Sequence, residues 1–453
     1  MIPTRPFLSV DRISVHDGHE VRYDLSYSRR FGRFLTDVDP YVRYSVDVSE
    51  VPESVLAVPL LTTLCPLAWI TGTRVSVETV DAAFLDSLSA LQRAYAEQYP
   101  DAPFERVDPI EYDTVVNTGS TGSDGGAGVL FTGGVDSTTT YLNRRERKPH
   151  LITVRKEGET RENTWAKRPR MIDAFAAENG LTAHYVETNV KSLVDKFAVN
   201  LRFRHLLNDS WDRTMFFGIG YPGFTAPITY TEGLTEVYQS ADYMPHERFP
   251  NSAQPRLVDT LRWANTAVES DAVGMTRQEK IELIGEHFAG RETAWEISSC
   301  DEGGEESLSC NRCGTCLHTI TGFLVAGYDP EDYGFEVDER TFDRIRSHVE
   351  NERFTADSVK ARFWMEMQER VDLDRIALPY EGLGEFLAWF ADATVSEELS
   401  RPLPVHEPSY DASLKRRLCT KLPYPFDSVA TELYLSYVLD GTVAERASAE
   451  SER

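Results

Sequence analysis

Hydrophobic and polar positions alternate with period two at residues 22–27 and 42–48, which predicts strands buried on one face. An apolar stretch follows at 58–69, and residues 80–97 repeat apolar positions at helical spacing. These elements predict a small α+β unit at the N-terminus. Beyond residue 128 the rhythm changes to apolar 129–131, helical 137–145, apolar 151–154, helical 165–179 and apolar 184–186. Strand, helix, strand, helix, strand predicts a parallel sheet with right-handed crossovers. Residues 226–230 are expected to add a fourth strand, with helices at 256–269 and 276–288 packed around it. From about residue 330 the pattern is helical, at 339–350, 356–370, 383–393 and 426–439, and the chain ends in a frayed stretch over 444–453.

Residues 119–128 are too rich in Gly and Ser to hold a helix or strand, so they are expected to form a flexible connection. Three units follow: an N-terminal α+β unit with linker over 1–125, an α/β unit over 126–330 and a helical region over 331–453. No internal repeat and no heptad run is present.

With 47 Lys and Arg against 73 Asp and Glu, the chain carries a net charge of −26. That charge repels nucleic acid and anionic membranes unless basic residues cluster, and only 144–148 and 167–170 are locally basic. The acidity is spread along the chain and Lys is scarce beside Arg, the balance of salt-adapted proteins, in which high ionic strength screens self-repulsion. No apolar run reaches the roughly 20 residues that span a bilayer. The first residues lack the basic flank and apolar core of a signal peptide, so a cytoplasmic location is expected.

The richest segment runs from Gly128 to Thr138, Gly-Val-Leu-Phe-Thr-Gly-Gly-Val-Asp-Ser-Thr: an apolar strand, two glycines, then Asp and hydroxyl residues at a helix start. Paired glycines let backbone approach a ligand closely, and the helix aims unpaired N–H groups at the same spot, which suits an anion. Thr132, Ser137 and Thr138 can add hydroxyl donors, and Asp136 can cap the helix or hold Mg2+. The loop lacks the Lys of a Walker A motif and the third glycine of a dinucleotide fingerprint. A tight strand-to-helix turn with no ligand is the plain alternative.

Four of the six cysteines, Cys300, Cys310, Cys313 and Cys316, fall in one short stretch. The two-residue spacing of the last three lets a chain wrap one metal, and Cys300 supplies a fourth thiolate for tetrahedral Zn2+. An iron–sulfur cluster, a redox dithiol and a site with His318 in place of Cys300 are the alternatives.

The loop resembles the PP-loop of the ATP pyrophosphatase superfamily, Ser-Gly-Gly-x-Asp-Ser, with Thr132 in place of the first Ser. Its pairing with the cysteine group is similar to the 7-cyano-7-deazaguanine synthase family over residues 126–325. The resemblance implies a doubly wound parallel α/β sheet with ATP at the C-terminal edge of its strands. It implies that Thr132, Gly133, Gly134, Val135, Asp136, Ser137 and Thr138 grip the pyrophosphate portion of ATP, with Asp136 and Ser137 closest to the chemistry. Arg155, Arg277 and Lys280 are candidate charge partners for the phosphates. Thr276 and Glu279 also have capping-box spacing, so their stretch reads equally as a plain helix start.

The implied reaction adenylates a carboxylate or carbonyl oxygen of a small, nucleobase-like substrate, releases pyrophosphate and then exchanges AMP for ammonia or another nucleophile. Nucleic acid is an unexpected partner, and a homodimer is left open. An Arg-Asn pair of that family is not found here, and the chain is much longer at both ends. A tRNA-thiolating PP-loop enzyme and a non-catalytic nucleotide-binding module are the competing readings. Asp209, Asp212 and Arg213 read as a polar helix face, and His184 and His205 as structural or solvated histidines.

Overall fold

The computed structural model describes residues 6–119, 125–155, 161–207, 209–241, 251–290, 295–304, 307–351, 359–374, 376, 378–393 and 395. Its described strands form a single sheet of 11, mostly parallel. In chain order they are β1 Phe7–His16, β2 Glu20–Tyr27, β3 Tyr41–Tyr44, β4 Arg74–Asp81, β5 Glu111–Val116, β6 Gly126–Leu130, β7 His150–Val154, β8 Ala183–Thr188, β9 Leu234–Ser240, β10 Arg262–Trp263 and β11 Thr266–Asp271. Across the sheet the order is β10-β11-β9-β6-β7-β8-β3-β2-β1-β4-β5.

The run β8-β7-β6-β9-β11 is all parallel, and its chain starts in the middle at β6. Two crossovers move one way, to β7 and β8, and the chain then returns to the other side of β6 for β9 and β11. This is the doubly wound pattern, and order reverses between β6 and β9. Both faces are covered, so neighbouring strand residues serve different cores. Leu151 packs with Val129, Phe131 and Phe175 on one face, whereas Ile152 packs with Val186 and Val237 on the other. Continuous apolar strands are the expected result.

Residues on either side of 125 share this sheet. Antiparallel β3 joins β8 through Val42↔Thr188, Arg43↔Glu187 and Tyr44↔Val186. The expected border therefore falls between two halves of one sheet, and residues 120–124 of the connection lie outside the described residues. Helix Val58–Thr71 fills the apolar stretch of the first half, and helix Ala82–Gln98 the amphipathic one.

Two expected elements differ. Residues 226–230 begin helix Ala226–Glu232 instead of a strand, and β9 follows it. A short apolar run fits either element. Here Pro227 sits in the first turn, where its missing N–H costs nothing, and Gly233, at φ +66, ends the helix. Residues 256–269 are not one helix either. Helix Pro255–Val258 is followed by the hairpin β10–β11, which turns at residues 264–265 with Ala264 at φ +47.

The helices Thr341–Asn351, Val359–Glu369 and Leu383–Asp392 occupy the expected C-terminal stretches. Ile345, Trp364, Met367, Phe386 and Phe390 join the same core as Ile281 and Phe323. The expected helix at 426–439, and Cys419, lie outside the described residues.

Candidate functional site

The loop after β6 sits at the C-terminal edge of the parallel strands, beside the place where strand order reverses, the usual ligand crevice of open α/β sheets. Gly133 takes φ +76, a left-handed conformation that favours glycine. Gly134 is the N-cap of helix Val135–Arg144 and supplies no side-chain cap. The first-turn N–H groups of that helix have no intrahelical acceptors.

Hydroxyls shape the turn from within. The Thr132 N–H donates to Ser137 Oγ at 3.2 Å, and Ser137 Oγ donates to the Gly134 carbonyl at 3.2 Å. Ser137 is therefore both buried and a brace for the loop. Val135 is buried, so its side chain turns away from the loop surface, and Thr138 is fully buried with an Oγ1 that has no partner among the described residues.

Asp136, in the first turn, is flanked by two cations. Lys280 Nζ lies 2.9 Å from Asp136 Oδ1, and Arg277 Nη1 donates to Asp136 Oδ2. Lys280 also donates to the Ala241 carbonyl at 2.6 Å, just past β9. Burial opposes the ionisation of Asp136, but the Arg277 and Lys280 charges and hydrogen bonds outweigh it and hold the carboxyl well below its ordinary value. Its side chain remains 37% exposed while that of Lys280 is 3% exposed. Two cations against one carboxylate leave an excess positive charge beside the loop.

The capping box is real as well. Thr276 Oγ1 accepts from the Glu279 N–H at 3.2 Å, and Glu279 accepts from the Thr276 N–H at 2.7 Å. The same cap that starts helix Arg277–Phe288 thus places Arg277 and Lys280, one turn apart, on Asp136. Arg155 is placed elsewhere: Glu187 accepts from it at 3.0 Å, Glu162 pairs with it, and it lies over Trp165.

A third segment closes over the loop. The Ser298 N–H donates to the Gly133 carbonyl at 3.0 Å, and Ser298 Oγ accepts from buried Arg168 Nη2 at 3.0 Å. Arg168 Nη2 also lies 3.4 Å from Asp301, whereas Nε and Nη1 have no partner among the described residues. The sequence signal for Arg168 was its place in the basic run 167–170, which composition alone does not tie to the loop.

The cysteines form a compact group. One sulfur from each of Cys300, Cys310, Cys313 and Cys316 lies within 4.8 Å of the others. Cys310 Sγ and Cys316 Sγ are 3.8 Å apart, the spacing of roughly 3.8 Å that tetrahedral Zn–S bonds of about 2.3 Å require. The Cys310 N–H points at Cys300 Sγ and the Cys313 N–H at Cys310 Sγ, at 3.4 and 3.3 Å, donors that support thiolate charge. Hydrogen bonds from Cys313 and Cys316 lower the Cys300 thiol, and the same sharing pushes Cys313 up to about 11. The group can hold a metal ion such as zinc. His318 is not part of it. It is buried on helix Gly314–Ala326 against Phe363 and Trp364, and burial with nearby Arg277 pushes it down to about 3.

Comparison with protein-family models, curated proteins and solved structures finds no match. The arrangement itself is therefore what bears on function: a glycine turn, an uncapped helix start and two cations converge at the reversal of strand order. It is suited to an anion carrying several charges. Asp209, Asp212 and Arg213 stand apart from it: Asp209 pairs with Arg213 and Asp212 with Lys191. No described helix is long and apolar enough to cross a membrane.

Proposed function

We propose that the crevice binds ATP with Mg2+ and that the protein is a PP-loop ATP pyrophosphatase resembling the 7-cyano-7-deazaguanine synthase family. The observation that carries this reading is the convergence of Arg277 and Lys280 on Asp136 beside the Gly133-Gly134 turn. A polyphosphate at the turn accepts the N–H groups of the helix start. Arg277 and Lys280 would then share their charge between Asp136 and the phosphates, and Asp136 is the residue that would hold Mg2+, which would supply further charge neutralisation.

In the reaction a substrate carboxylate or carbonyl oxygen attacks the α-phosphorus. The bond from that phosphorus to the bridging oxygen breaks, and pyrophosphate leaves with the electron pair. Ammonia or another nucleophile next attacks the activated carbon, AMP leaves with its oxygen, and the nitrogen loses a proton to water. The chain's own part is positioning and charge neutralisation, the terms that dominate such transfers. The cysteine group, with a metal such as zinc bound, would hold Ser298, two residues before Cys300, in place over the turn. Its four converging sulfurs leave no open position for chemistry.

Isothermal calorimetry with ATP and Mg2+ tests the site, and product analysis with 7-carboxy-7-deazaguanine and ammonia tests the chemistry. Binding, with AMP and pyrophosphate as products, is expected. No detectable nucleotide binding, or ADP and phosphate as the sole products, sinks the proposal.

A further inference from the structure

At the opposite edge of the same strands, three side chains from three elements converge. His150 begins β7, His184 lies in β8, and Glu232 ends the helix that precedes β9. The parallel register pairs Ile152 with His184, so His150, two residues earlier than Ile152, projects on the same face as His184. Their rings are nearly parallel, tilted by 14°, and His150 Nδ1 lies 2.9 Å from His184 Nε2. One nitrogen of each ring and one carboxylate oxygen of Glu232 all lie within 4.8 Å of one another.

We infer that His150, His184 and Glu232 form a second metal site, for zinc or a similar borderline divalent ion. Two imidazoles and a carboxylate select such ions over Mg2+ and Ca2+, which prefer oxygen alone. A plain hydrogen-bonded histidine pair accounts for the 2.9 Å contact. It leaves unexplained why a carboxylate from a third element closes on the same two rings. In a tetrahedral site with Zn–N bonds near 2.0–2.1 Å the two nitrogens stand roughly 3.3 Å apart with both lone pairs turned on the ion, so metal entry breaks the histidine–histidine hydrogen bond and rotates the rings out of line. His184 is buried and Glu232 is exposed, so the fourth position opens to water.

Such a site does different work from the cysteine group. It ties the starts of β7 and β8 to the helix leading into β9, and so bridges across β6, the strand that lies between β7 and β9. The loop that follows β6 leaves from the other end, so the inference does not depend on nucleotide binding there.

The full chain, stripped with chelator and titrated with Co2+, reports each site separately by absorbance. A thiolate-to-cobalt band marks the cysteines, and d–d absorption without that band marks the second ion. Two equivalents are expected in the unaltered protein. His150→Gln should weaken the second by about 100-fold or more and Glu232→Gln by about 10-fold, with the thiolate band unchanged in both. Glu232 is exposed, so its variant keeps the fold and reads the site even if a histidine variant does not. A protein that takes up only the thiolate-bound ion, or a second equivalent that binds both variants as tightly as the unaltered chain, overturns the inference.

Discussion

Two strand-to-helix junctions in this sheet use the same local grammar to opposite ends. After β4, helix Ala82–Gln98 is capped by Asp81, which is buried and accepts from the N–H groups of Phe84, Thr118 and Ala264 at 3.0, 3.1 and 2.9 Å. After β6, helix Val135–Arg144 is capped by Gly134, which offers no side chain, and cations stand nearby. At the first junction the Asp81 carboxylate caps one helix amide, that of Phe84, and ties in two neighbouring segments through Thr118 and Ala264, which makes it a structural joint. The second has no side-chain cap, and on the proposed function its amides are the surface that meets the phosphates.

The largest expected effect comes from opening the closed junction. Asp81→Ala deletes three acceptor contacts in the interior and should cost about 3 kcal/mol of stability in urea unfolding. ATP affinity by calorimetry should stay within about twofold. A large loss of affinity with little loss of stability would mean that the two junctions do not divide the work this way.

Closing the open junction is the converse. Gly134 has φ −79 and ψ 169, which any residue adopts, and a Cβ there would meet the Ser298 carbonyl at a tight 3.2 Å. Gly134→Asp should place a carboxylate on the helix start and weaken ATP at least about 100-fold, or ~2.7 kcal/mol. Gly134→Asn, which caps without charge, should weaken it less, and both should change stability by no more than about 1 kcal/mol. Unaltered nucleotide affinity in Gly134→Asp would show that the amides are not the binding surface.

Sequence made one part of this arrangement legible and left another hidden, for a physical reason. The glycine pair lies close to Asp136 in the chain and the four cysteines fall together in a separate short stretch, so spacing within each group marks it. Arg277 and Lys280 lie about 140 positions beyond Asp136, and their local pattern fits a helix start equally well. Only the packing of that helix against helix Val135–Arg144 gives them a second role. Arg168 and Ser298 carry no local mark of their contact with the loop, and Arg155, placed just past a strand as a phosphate ligand would be, is held instead by Glu187 and Glu162. For the fold, strands buried on both faces were readable as apolar runs. The run at 226–230 was not, because length and hydrophobicity do not separate a short buried helix from a strand.

Asp136→Asn sharpens the open junction from the charge side. Removing the carboxylate leaves buried Lys280 with the Ala241 carbonyl and no counter-charge, and should cost about 1–2 kcal/mol, less than a fully buried pair because Asp136 is partly exposed. The pH dependence has a definite sign. A carboxyl held below its ordinary value binds fewer protons folded than unfolded, so its contribution is complete above the unfolded value near 3.9 and is lost as pH falls from there through the folded value. Urea unfolding from pH 7 to 3 should show the gap between the two proteins holding down to about pH 4 and narrowing below. A gap that does not change with acid would remove Asp136 as its source.

The smallest effect separates helix formation from charge placement. Thr276→Ala removes the hydroxyl that accepts the Glu279 N–H and should cost about 1 kcal/mol of stability. Lys280 stays anchored by the Ala241 carbonyl, whereas Arg277, the first residue after the cap, depends on the cap for its direction. ATP affinity should therefore fall by only about 3–10-fold, roughly 1 kcal/mol, and Thr276→Ser should restore both properties because its hydroxyl caps equally well. If Thr276→Ala matched Arg277→Ala in affinity, Arg277 would owe its position wholly to the cap. An affinity unchanged in Thr276→Ala but reduced in Arg277→Ala would instead show that Asp136 alone aims the guanidinium, and the cap would be a feature of the helix and not of the site.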